Sequence, residues 1–217
     1  IERGAEVNQA MNDGRTPLYV AAQNGKLDVA QLLIKRGAEV NQAKTNGASP
    51  LYIAAQQGKV DVAQLLIERG AEVNQATTSG IFEGETPLHI AARQGQLAVA
   101  QLLLDRGAEV NQAETTYGTT PLWVAVEEGQ LAVAQLLLER GADVNKANTY
   151  GETPLSLAAH FAHTTVTLLL KLAGAKRGAI DFDTNDEVIK QALKASAMLQ
   201  IITQRFPASA TDLRRAI

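Results

Sequence analysis

Between residues 16 and 37 the apolar positions fall into two short helical groups separated by a polar break. In "TPLYVAAQNG", Leu18, Ala21 and Ala22 share one helical face. Thr16 stands where a helix cap is needed, Pro17 suits the first turn, and Gly25 ends the helix in the left-handed conformation. "KLDVAQLLIKRG" then predicts a second helix, with Val29, Leu32 and Leu33 on one face. Lys35 and Arg36 lie in its last turn, where positive charge suits the helix dipole, and Gly37 stops it. The polar stretch "AEVNQAKTNGA" follows. Its single short apolar residue, Val40, and its turn formers Asn46 and Gly47 suit a hairpin loop.

The same pattern returns along most of the chain. Thr16-Pro17-Leu18-Tyr19 recurs as Ser49-Pro50-Leu51-Tyr52, Thr86-Pro87-Leu88-His89, Thr120-Pro121-Leu122-Trp123 and Thr153-Pro154-Leu155-Ser156, in steps of 33, 37, 34 and 33 residues. "GAEVNQA" stands at Gly4–Ala10, Gly37–Ala43, Gly70–Ala76 and Gly107–Ala113, with "GADVNKA" at Gly141–Ala147. One helix pair of this size cannot bury its apolar face alone, whereas stacked pairs share a continuous core. The repeated string is therefore read as the joint between stacked units, and the alanines as the means of close helix approach.

A period near 33 residues carrying T-P-L-H-x-A resembles the ankyrin repeat family, and "TPLHIAA" at Thr86–Ala92 has that motif in full. The resemblance covers residues 1–175: a partial first unit, then five units, the last atypical. It implies an all-α repeat solenoid of stacked helix-turn-helix units with hairpin fingers, closed by a C-terminal helix. It also implies that His89 holds its local turn by hydrogen bonding. Tyr19, Tyr52 and Trp123 stand at the same position and are not expected to copy that bond. They either pack against the fingers or line the groove, with Trp123 the better contact candidate. Asn41, Asn74, Asn111 and Asn145 resemble the asparagine context that is hydroxylated in many ankyrin proteins of animal cells.

The fifth unit departs from the pattern. Ala162 replaces the glycine between its helices, at a cost on the order of 1 kcal/mol if the turn is kept. Leu168 replaces the glutamine of the other outer helices, and Lys171 replaces their isoleucine or leucine. The outer helix is expected to have rotated its apolar face, with residues 176–217 as the cover. There, Thr184 and Glu187 form a capping box, and Val188, Ala192, Ala195, Leu199 and Ile202 make a helical stripe ended by Pro207. This segment either closes the stack or opens a further domain. Between Ala76 and Thr86 the loop "TTSGIFEGE" is four residues longer than its counterpart in a 33-residue step. Its Ile81 and Phe82 either tuck onto the body or form a contact point.

Composition narrows the functional classes. The chain has 217 residues, a net charge of −3 and no cysteine. Near-balanced charge argues against broad nucleic-acid binding. Absent cysteine removes disulfides, thiolate metal sites and a cysteine nucleophile, and fits a reducing compartment. No apolar run approaches the roughly 18 residues that span a bilayer. The chain begins at Ile1 inside a repeat and reads as a piece of a longer protein. His160 and His163 are three apart without further ligands, a weak metal signal. Glu127 and Glu128 are adjacent, so they do not face each other as an acid/base pair. No phosphate loop, dinucleotide fingerprint or nucleophile elbow is present. The reading calls for no enzyme activity, cofactor, metal, nucleic acid, membrane or small-molecule substrate.

Ankyrin proteins typically bind other proteins with the finger tips and the inner-helix side. Carried over position by position, the first two units offer bland polar residues. The third offers Phe82, Glu83, Glu85 and Arg93; the fourth Tyr117, Trp123, Glu127 and Glu128; the fifth Tyr150, Glu152, His160 and Phe161. Aromatic anchors beside acids imply a protein or peptide partner with a basic, partly apolar surface. The chain is thus expected to be a cytoplasmic protein-binding scaffold; the alternative is the targeting module of a larger enzyme. The near-identity of the copies is similar to ankyrin effectors that intracellular bacteria inject, which would place it in host cytosol. A eukaryotic cytosolic adaptor is the other origin considered.

Overall fold

A computed structural model describes residues 6–174 of the chain. The capping segment expected over 176–217 lies outside the described residues. Ten helices and no strand are present among those described. Five helices form an inner row: α1 (Pro17–Gln23), α3 (Pro50–Gln56), α5 (Pro87–Arg93), α7 (Pro121–Glu127) and α9 (Pro154–His160). Five form an outer row: α2 (Leu27–Lys35), α4 (Val60–Glu68), α6 (Leu97–Asp105), α8 (Leu131–Glu139) and α10 (Thr164–Leu172). Each helix packs on its own partner and on the same helix of the next unit, so the units form one row.

Inner helices have seven residues and outer helices nine. Helices that short do not hold in water alone, so local chemistry and stacking must combine. Every inner helix opens with a Ser or Thr whose hydroxyl accepts the backbone N–H three residues on, as in Thr16 to Tyr19 at 3.1 Å. Proline follows in each first turn. Behind it a buried leucine recurs at Leu18, Leu51, Leu88, Leu122 and Leu155, facing Leu33, Leu66, Leu103, Leu137 and Leu170 of the outer row. Paired alanines, such as Ala54-Ala55 and Ala91-Ala92, are fully buried between inner helices. Inner helices touch along the row more closely than outer ones. The stack therefore bends with its inner row on the concave side.

Three kinds of polar bolt join the units. The asparagine of each joint clamps the next: Asn74 Nδ2 donates to Gly107 O at 3.3 Å, and its Oδ1 accepts from Glu109 N at 3.0 Å. Asn8, Asn41 and Asn111 do the same. A side chain after the third, fourth and fifth inter-helix turns reaches back to the preceding inner helix. Gln96 donates to Gln56 O, Gln130 to Arg93 O, and His163 Nε2 to Glu127 O at 3.0 Å. Gly95 leaves room for this, since a Cβ there would run into the Gln130 amide. The fingers are closed within themselves, as by Lys44 N to Ala48 O, and laced to each other by Thr45 N to Asp13 O, Thr78 N to Asn46 O, Thr115 N to Glu83 O and Thr149 N to Tyr117 O.

His89 holds its turn as expected: Nδ1 lies 2.8 Å from Thr86 Oγ1 and 3.2 Å from Thr86 N. Its Nε2 reaches the next unit at Thr119 O, 3.1 Å away. Burial pushes its pKa down to about 4. The expectation for Trp123 needs correction. Its Nε1 donates to Glu152 O at 3.3 Å, reproducing the inter-unit half of the histidine bond. An indole at this position reaches the same carbonyl but has no second nitrogen for the local hydroxyl.

Two expectations about outer helices also change. Val29 and Leu32 are 47% and 42% exposed, although Leu33 is buried. Their copies Val62 and Leu65 are buried because α2 covers them, and no described helix covers α2 on that side. In α10 the apolar face has not rotated. Val166 and Leu170 are buried in the register of Val133 and Leu137, while Leu172, 63% exposed, adds apolar surface outside that register. Packing on α8 and α9 sets the register, so the extra leucines do not turn the helix. Ala162 keeps the glycine turn at φ +56°.

Three outcomes follow for stability. Asn74→Ala removes two inter-unit bonds and should cost about 1–2 kcal/mol in urea unfolding. A change inside the ~0.5 kcal/mol scatter of ordinary surface substitutions would refute the clamp. Ala162→Gly should stabilise by about 0.5–1 kcal/mol by relieving the left-handed residue; a destabilised variant would show that the turn carries no strain. For His89 the unfolded chain takes a proton below pH 6.5, while the folded chain resists until about 4. Its contribution is complete above pH 6.5 and falls away, by about 3 kcal/mol, as the pH drops to about 4. Urea midpoints should fall less steeply over this range in His89→Gln, and identical slopes would contradict the assignment.

Candidate functional site

The inner helices end on the concave side, next to the finger tips. In the third unit α5 ends at Arg93, and its guanidinium organises the neighbourhood. Nη2 pairs with Glu85 Oε1 at 2.7 Å, and Nη1 stands 3.4 Å from both Glu127 Oε2 and Glu128 Oε1. The cation also lies over the Phe82 ring, 4.2 Å from its centroid. Burial opposes the Arg93 charge, but the hydrogen bond and charge of Glu85 outweigh it and raise the pKa. Glu85 is fully buried, and its other oxygen accepts from Tyr52 Oη at 2.8 Å. Desolvation, reinforced by Glu85, pushes the Tyr52 phenol up, so it stays a donor.

This arrangement corrects the expected surface in one respect. Glu85 reads in the sequence as an exposed contact, but its 0% exposure leaves it nothing to present to a partner. Its part is to hold Arg93, and removing either member would strand a buried charge.

Beyond Arg93 the structure gathers Phe82, Tyr117, Trp123, Glu127, Tyr150 and Glu152 around one cavity of about 220 Å³. Arg93, Thr119 and Asn148 complete the lining. Tyr117 and Tyr150, on neighbouring fingers, have ring centroids 6.2 Å apart at an angle of 35°. Trp123 is 7% exposed and Tyr150 62%, so the indole is largely covered while the Tyr150 ring stands open. Glu152 Oε2 accepts from Asn148 Nδ2 at 2.7 Å, a neutral donor. Burial raises the pKa of Glu127 against the lowering effect of Arg93.

The remaining expected residues lie around this centre. Glu128 is at the edge, reaching Arg93. Glu83 is exposed on the third finger, and its backbone carbonyl accepts from Thr115 N and Oγ1. His160 and Phe161 form a second aromatic group with His163, with centroid separations of 5.0 and 6.0 Å. Ile81 does not tuck back: it is 71% exposed, while Phe82 keeps one face on Arg93.

Two finger residues were not foreseen. Buried Glu114 accepts from Thr116 N at 2.6 Å, Tyr117 N at 2.7 Å and Thr119 N at 3.0 Å, which fixes the fourth fingertip. Asn148 Oδ1 accepts from Tyr150 N and Glu152 N in the fifth. The Asn148 turn has a sequence signal, since asparagine bonds its own turn two residues on. A glutamate in that role has none.

Among the described residues no group of three or more His, Cys, Asp or Glu could hold a metal ion, and no helix is long and apolar enough to cross a membrane. A search of curated proteins found no match. The family model described as ankyrin repeats (3 copies) matches residues 1–77, 74–148 and 113–186. With that coverage and the stacked helix pairs described above, the chain belongs to the ankyrin repeat family.

Proposed function

We propose that this chain is a protein-binding scaffold that grips a partner through the concave face and finger tips of its third to fifth units. Ankyrin repeats are generally protein–protein interaction modules. The observation that carries the placement is the join of open aromatic rings with acids in excess. Three carboxylates, on Glu85, Glu127 and Glu128, share the single guanidinium of Arg93, and Glu152 adds a fourth to the cavity lining. Tyr117, Tyr150, Phe82 and Phe161 lie on the same row of finger tips and inner-helix ends. Aromatic anchors supply contact area, and the surplus of acid over base steers a basic surface. The partner is therefore a protein with a basic, partly apolar face, buried to about 1,200–2,000 Å² in total. Only the near-identity of the joints supports a further extension, to a secreted bacterial effector acting on a host protein.

The test compares three immobilised baits: the unaltered chain, Tyr117→Ala/Tyr150→Ala, and the outer-row control Gln101→Ala/Gln135→Ala. Both tyrosines are on fingers and neither is in the core, so all three should fold by circular dichroism. Proteins held by the first and third baits should be lost from the second, at about 30-fold weaker binding for a hot-spot pair. Retention by all three baits would overturn the placement.

A further inference from the structure

We propose that the cavity among the third, fourth and fifth fingers receives the side chain of an unmodified lysine from the partner, lying against the Tyr117–Tyr150 ring pair with Trp123 in the cavity wall. This rests on the concave-face reading above and names the group that the face would recognise. Size sets the first limit. At about 220 Å³ the cavity falls below the roughly 300–1,000 Å³ of ordinary small-molecule sites, and one long side chain suits it better than a cofactor.

Charge and ring chemistry set the second limit. Tyr117, Tyr150 and Trp123 line the cavity, and the negative quadrupole of an aromatic face attracts a cation. The molecule already uses this attraction once, with Arg93 over Phe82. Arg93 spends its short contact on Glu85 at 2.7 Å and reaches Glu127 only at 3.4 Å. Glu152 takes an amide from Asn148 instead of a cation. Both Glu127 and Glu152 line the cavity. An incoming positive charge thus meets Glu152, which bonds only an amide there, and Glu127, which shares the one Arg93 cation with Glu85 and Glu128.

Lysine fits this better than arginine. A guanidinium looks for a stacking face and a paired carboxylate, and Arg93 already occupies that arrangement with Phe82 and Glu85. An ammonium is compact and carries three donors for Glu127 and Glu152, while its four-carbon stem lies along the rings. Full methylation would remove those donors and leave the carboxylates unbonded.

Trp123 is the only tryptophan of the chain, so its emission reports on this cavity alone. The probes are Nα-acetyl-lysine methylamide and its norleucine, arginine and trimethyl-lysine counterparts, titrated at constant ionic strength. The lysine probe should give a saturable change, with an affinity on the order of millimolar for one side chain. Norleucine should give none, and the other two should bind more weakly. Tyr117→Leu/Tyr150→Leu keeps apolar bulk but removes the π faces, and should weaken the response at least about threefold. Glu127→Gln/Glu152→Gln should weaken it to a similar degree. An absent lysine response, an equal norleucine response, or arginine or trimethyl-lysine binding as tightly as lysine would overturn the proposal. So would either double variant binding at full strength with its fold intact. If the cavity fails while Tyr117→Ala/Tyr150→Ala still releases the partner, the lysine assignment falls and the concave-face reading stands. Retention of the partner by that variant would count against the face itself.

Discussion

Close contact between neighbouring inner helices is the constraint on which the other features depend. A seven-residue helix with one leucine and two alanines has too little apolar surface to persist alone. Laid against copies of itself, it loses nearly all of that surface to water-free contact. Alanine at the touching positions brings the inner row closer together than the outer row, and this bends the stack. The bend turns the inner-helix ends and the fingers toward one another. A groove then exists before any residue is chosen to line it.

The joints show how polar groups are used in such a stack. Each asparagine of the "GAEVNQA" string donates to one backbone group of the next unit and accepts from another. Without these bonds the two backbone groups would turn to water and the next unit would lose that hold. Glutamine or histidine after the inter-helix turn repeats this economy on the other side. These bonds act along the row, between residues about 30 positions apart. Register between units is thus held by direction-specific contacts, and apolar burial supplies the bulk of the cohesion.

Function enters where the copies differ. Tyr19, Tyr52, His89, Trp123 and Ser156 occupy one structural position, but they do not all make the same contact. Tyr52 reaches a buried glutamate, His89 and Trp123 reach a backbone carbonyl, and Ser156 turns back on Thr153. Through Glu85 the first of these contacts orients Arg93, and Arg93 in turn draws Phe82, Glu127 and Glu128 together. A binding surface is produced by varying a few side chains on an unchanged backbone.

The repeating architecture was legible in the residues themselves. Period, caps, turn glycines and the leucine–alanine pattern are local properties, and a repeat stack is built from local contacts and nearest neighbours. The gathering of Phe82, Tyr117, Trp123, Tyr150, Glu127 and Glu152 could also be anticipated, because positions one period apart must become neighbours. Burial within that group could not. Glu85 looks like a surface acid in the chain, yet it lies under Arg93 because Tyr52, a full unit earlier, covers it. Trp123 reads as an open ring but keeps only a small part of its surface toward the cavity, with its nitrogen bonded to the next unit. The extra leucines of α10 suggest a turned helix, although packing on α8 and α9 keeps the register. Local pattern determined which units form and which residues meet. Only tertiary packing decided which of those residues remain accessible, since exposure depends on the neighbouring unit and not on the residue's own.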